Sequence, residues 1–113
     1  MATTTVTPKK IDLNGATGAV TFSTVSNSGD DFLLDFTGAD NKTVILLKGS
    51  GTLTLKAGNG IQGVTDLALT SDSTLAAFRV DSGLFKIVSG TNKGYIHAVP
   101  SATTVTVALV QHP

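Results

Sequence analysis

The residues whose spacing could do chemistry are, first, three glycines. Gly58, Gly60 and Gly63 stand as G-x-G-x-x-G in "KAGNGIQGV" (56–64), after an alternating apolar run. Asp81 follows about twenty residues further on, where a dinucleotide site would place its ribose-binding carboxylate. In such a site the glycines open a helix whose N-terminus receives the pyrophosphate. The mechanism needs that helix. After Gly63 the chain reads "VTDLALTSDSTL", with Asp, Thr and Ser where helix formers are required and a new turn at Ser71. The stretch 58–63 therefore reads as a wide loop or bulge between two strands, where glycine supplies φ > 0.

The remaining chemical side chains are scattered. His97, in "YIHAV", falls by alternation on the face of Tyr95 and Val99 and reads as a packed or surface residue rather than a base. His112 lies in the terminal "QHP" and reads as a mobile residue. Nine serines and eight aspartates permit a Ser-His-Asp arrangement on paper, but no G-x-S-x-G elbow supports one. Asp30, Asp31 and Asp35 could offer oxygens to calcium, a hard cation. No D-x-D-x-D-G loop holds them, and Asp31 and Asp35 read as the wet face of a strand. A sugar site would recruit aromatic platforms, and the chain has no Trp and a single Tyr, Tyr95. The five phenylalanines (22, 32, 36, 78 and 85) occupy strand positions that should face inward. No catalytic, cofactor or metal set emerges, and the expectation is a protein that is not an enzyme.

Composition bounds what can position these groups. A chain of 113 residues supports one domain, burying roughly 65% of its unfolded surface. Only 14% of residues are charged, against a usual ~25%. Eight basic and eight acidic residues cancel, and every acid is aspartate. The absence of Glu and the wealth of Thr and Val favour strands over helices. Zero net charge, with "PKK" (8–10) the only basic pair, argues against nucleic acid as a partner. Without cysteine there is no disulfide or thiolate metal site. "MATTTVTPKK" lacks the apolar stretch of a secretory signal, and no run approaches the ~20 residues of a membrane helix. The expectation is a soluble protein made in the cytoplasm.

Strands and turns follow closely along the chain. Residues 1–18 read as a flexible Thr-, Gly- and Ala-rich arm with one short strand at most, and 19–113 as a single β domain. "AVTF" (19–22) is a short strand. "DFLLDF" (31–36) alternates, with Phe32, Leu34 and Phe36 inward. "TVILL" (43–47) is continuous, as in a strand buried on both faces. "TLTLKA" (52–57) alternates, with Leu53 and Leu55 inward. "DLALT" (66–70) and "TLAAFRV" (74–80) read as a hairpin across "SDS" (71–73). "LFKIVS" (84–89) sets Phe85 and Ile87 on one face. "YIHAV" (95–99) ends at Pro100, and "TTVTVALV" (103–110) carries Val105, Val107 and Leu109 in register. Lys48, Lys56 and Lys86 could guard sheet edges or as easily lie on the solvated faces of inner strands. Eight or nine short strands with regular turns predict an all-β, antiparallel sandwich or barrel.

The stretches "LKAGNGIQGVTDLALT", "FRVDSGLFKIVSGTNKGYIHA" and "TVTVALVQHP" (roughly 45–113) resemble small virion structural proteins of tailed bacteriophages. They look most like capsid decoration (auxiliary head) proteins. The resemblance implies a non-enzymatic β-rich protein that binds the major capsid protein on the outside of the expanded head and stabilises it. It also implies a place on the virion exterior and room for self-association as a homo-oligomer. Thr3, Thr4, Thr5, Val6, Pro8 and Lys9 are then the candidate docking arm, ordering on binding. Two other classes stay open: a phage tail, neck or fibre-associated module, and a carbohydrate- or host-surface-binding β-sandwich.

Overall fold

The computed structural model describes residues 2–11, 20–38, 42–58, 65–71, 74–80 and 84–112. Among them are nine strands and no α-helix: β1 (Thr3–Val6), β2 (Lys9–Lys10), β3 (Asp31–Asp35), β4 (Thr43–Lys48), β5 (Gly51–Leu55), β6 (Leu67–Ser71), β7 (Ala76–Phe78), β8 (Tyr95–Pro100) and β9 (Thr106–Gln111). They form a five-stranded sheet, ordered β1-β3-β8-β5-β6, and a four-stranded sheet, ordered β2-β9-β4-β7. Both sheets feed one core, as expected for a β-sandwich. Period-two alternation builds it: Leu53 and Leu55 are fully buried while Thr52 and Thr54 between them stay half-buried. Phe32, Leu34 and Phe36 do the same on β3 and just beyond it, and Val105, Val107 and Leu109 are buried on and before β9, with Ala108 buried between the last two.

Several expectations are corrected. The flexible arm does not hold for residues 2–11. β1 pairs in parallel with β3, β2 pairs in parallel with β9, and Val6 is 2% exposed in the core. Alternation explains it: Thr4 and Val6 face inward beside Phe32 and Leu34. Residues 12–18 of the expected arm lie outside the described residues. Val20–Phe22 is not a strand; the pairing of that stretch is a single antiparallel bridge from Ser23 to Val107. β4 is not buried on both faces, because Thr43, Ile45 and Leu47 are buried and Val44 and Leu46 only half so. β9 is the strand buried throughout its centre, Val107 to Val110.

The hairpin expected from 66–70 and 74–80 is not formed. β6 pairs with β5 in the first sheet and β7 with β4 in the second, so the chain between them crosses from sheet to sheet. Segment 84–89 is likewise no full strand, bridging only at Lys86 to Ile96, although Phe85 is buried. Of the phenylalanines, 32, 36 and 85 are core, Phe78 packs partly against it, and Phe22 is half-buried. Lys48, Lys56 and Lys86 lie on no edge strand: Lys48 is exposed at the end of the inner strand β4, and Lys56 is held by Asp66 at 2.8 Å.

Candidate functional site

The groups that sequence spacing left scattered meet on the outer face of the five-stranded sheet. β1, β3 and β8 lie side by side, with Thr3 in register with Asp31 and Leu33 in register with His97. Asp31 therefore points away from the core, between a hydroxyl on one neighbouring strand and an imidazole on the other. The Thr3 hydroxyl donates to Asp31 Oδ1 at 2.6 Å, and His97 Nε2 bonds Asp31 Oδ2. These partners cover the carboxylate. Asp31 is only 6% exposed, whereas the His97 side chain keeps 38% of its surface open. The expectation that Asp31 lies on a wet face is corrected here.

Burial alone would raise the Asp31 carboxyl. The hydrogen bonds from Thr3 and His97, the histidine's charge and the residue's own backbone outweigh burial and hold it below its ordinary value. Asp30, 5% exposed, works on the same terminal strand from the other side. Its Oδ1 accepts the Ala2 N–H at 2.9 Å and its Oδ2 the Asn27 N–H at 3.2 Å, while the Asp31 N–H donates to the Ala2 carbonyl at 3.1 Å. Asp35 accepts from the Thr37 N–H and hydroxyl at 2.9 and 2.5 Å. The three aspartates weighed for calcium thus face separate partners. Among the described residues no three His, Cys, Asp or Glu gather as a metal site.

Around His97 a depression of about 260 Å³ is lined by Thr3, Asp31, Leu33, Ile87, Asn92 and His97. Its hydroxyl is placed for holding rather than for attack. In an activated nucleophile the hydroxyl hands its proton to the imidazole. Here Thr3 donates to the carboxylate on the far side from His97. The trio works as a clamp, one buried carboxylate tying β1 to β3 and β8.

The glycine spacing resolves at its first member. A Cβ on Gly58 would stand 2.4 Å from the Lys86 carbonyl oxygen and 2.9 Å from the Phe85 carbonyl carbon. Gly58 N–H donates to the Leu84 carbonyl at 3.1 Å. Close approach of two backbones, not a positive φ, requires glycine there, which corrects the φ > 0 expectation at this position. Gly60, Gly63 and Asp81 lie outside the described residues.

Of the six candidate docking residues, Thr3 sits in the clamp, Thr4 and Val6 face inward, and Thr5 faces out. Pro8 joins β1 to β2, and Lys9 lies opposite Val110. His112, expected to be loose at the terminus, donates its N–H to the Lys42 carbonyl at 2.9 Å. Sequence reasoning missed the Asp31–His97 pair. Both residues fall on outward positions of their strands, which was readable, but their adjacency comes from a pairing across 66 residues of chain, which was not. No known protein family matches the chain, and no curated protein or solved structure is similar enough to count as a match.

Proposed function

We propose that the protein is a non-enzymatic structural component of a tailed-phage virion, binding the major capsid protein on the outside of the head. The observation that carries this reading is what the acidic and imidazole side chains do. Asp30, Asp31 and His97, the groups best placed for chemistry, hold the terminal strand to its neighbours. Stiffening a small sandwich is what a shell-stabilising subunit needs, and many weak contacts on a lattice add to a firm hold. The resemblance of roughly residues 45–113 to small phage virion proteins supports that location, and a surface with few charges limits repulsion between neighbouring copies.

Co-sedimentation with expanded heads and with unexpanded precursor shells of the encoding phage tests the proposal. Saturable binding to expanded heads alone is the expected result. A folded protein that sediments with neither shell would move the assignment to a tail, neck or host-surface module.

A further inference from the structure

We infer that the outer edge of β6 pairs with β6 of a second copy of this chain, joining two five-stranded sheets about a two-fold axis. The inference does not rest on the capsid reading. Edge strands invite pairing with other chains, and β proteins blunt them with short strands, charges, prolines or bulges. Three of the four sheet edges here are blunted. β2 has two residues, both lysine, and β7 has three. β1 has four and is followed by Pro8.

β6 is different. It runs five residues in unbroken register against β5, from Gly51↔Ser71 to Leu55↔Leu67, and among the described residues no strand lies beyond it. Its sequence, "LALTS", has no charge and no proline. At its first residue the apolar side chain of Leu67 is 39% exposed, and Ala68 beside it is exposed too. A regular edge strand that carries no charge and starts on an open leucine has the character of a strand that is covered in use.

The strand's own pattern selects the second copy. In an antiparallel pair centred on Ala68, Leu67 of each copy meets Leu69 of the other, so both stay on the core side. Ala68 meets Ala68 on the outer face, and Asp66 meets Thr70, so no like charges oppose. A two-fold pair of this kind closes on itself and cannot grow into a fibre. One short strand pair buries less than the ~1,200 Å² of a standard interface, so the dimer is weak, with a Kd of ~10–100 µM.

Sedimentation velocity across about 5–500 µM brackets that range. The expected result is a monomer–dimer equilibrium that Ala68→Lys weakens at least tenfold (~1.4 kcal/mol), with the thermal transition at about 5 µM, where the chain is monomeric, unchanged because Ala68 is exposed. The chain has no cysteine, so Ala68→Cys gives a single thiol. Under mild oxidation it should cross-link into a dimer much faster than Thr5→Cys on the opposite edge. A wild-type monomer throughout the range overturns the inference. So does a dimer indifferent to Ala68→Lys, or equal cross-linking at both edges.

Discussion

Asp31 shows how one carboxylate changes its meaning once its neighbours are known. Its folded value lies below the unfolded one, so it contributes stability at pH above the unfolded value. That contribution is lost as pH falls through the folded value, at the acid end of the scale. Asp31→Asn should therefore flatten the acid limb of a stability-versus-pH curve below about pH 5. An unchanged acid limb would mean that the clamp does not couple to folding. At neutral pH, Asp31→Ala leaves the Thr3 hydroxyl and His97 without their shared acceptor, a cost of ~1–3 kcal/mol in urea unfolding. Gly58 gives the second prediction at this scale. A methyl group there must displace backbone atoms rather than a mobile side chain, so Gly58→Ala should cost ~1–3 kcal/mol. A neutral outcome would show that segment 84–86 is not pressed against it.

At the scale of elements, the terminal strands give the sharpest test. β1 and β2 attach to different sheets through the two-residue link Thr7–Pro8, so residues 2–11 strap one side of the sandwich. Deleting residues 2–6 removes the Val6 side chain from the core, a loss of roughly 1.5–3 kcal/mol, together with the clamp's hydroxyl. The thermal midpoint should fall by ~10 °C or more. A midpoint within error of the parent would return these residues to the status of a loose arm. Their Thr-rich composition gives no warning, because a four-residue strand with one valine carries little periodic signal. Where alternation is long, as in 31–36, 52–55 and 105–109, facing was legible from the sequence and agrees with the structure. Where it fails, the cause is pairing at a distance. "DLALT" and "TLAAFRV" look like a hairpin because they adjoin in the chain, yet each pairs with a strand of a different sheet. The Asp31–His97 clamp was hidden for the same reason.

At the scale of the whole molecule, the question is which force holds a sandwich with so few charges. Only 14% of residues are charged, and the Lys56–Asp66 pair is open to solvent, its side chains 44% and 41% exposed. The Lys56 ammonium and the Ala57 N–H both bond Asp66 and lower its carboxyl, but a pair so exposed is screened by salt. The core, by contrast, joins both sheets through fully buried leucines, isoleucines and valines. Raising NaCl from about 0.1 M to about 1 M shortens the screening length from ~10 to ~3 Å, which should leave the unfolding midpoint in urea nearly where it was. Leu55→Ala and Phe85→Ala should each lower stability by ~2–5 kcal/mol under either condition, since Leu55 is fully buried and Phe85 is 5% exposed. The two results belong together. A midpoint that moves strongly with salt, or near-zero loss at both core positions, would mean that the sandwich is held by its surface. The expected pair of results, salt indifference with heavy core losses, locates its rigidity between the sheets and leaves both outer faces available for contact with other molecules.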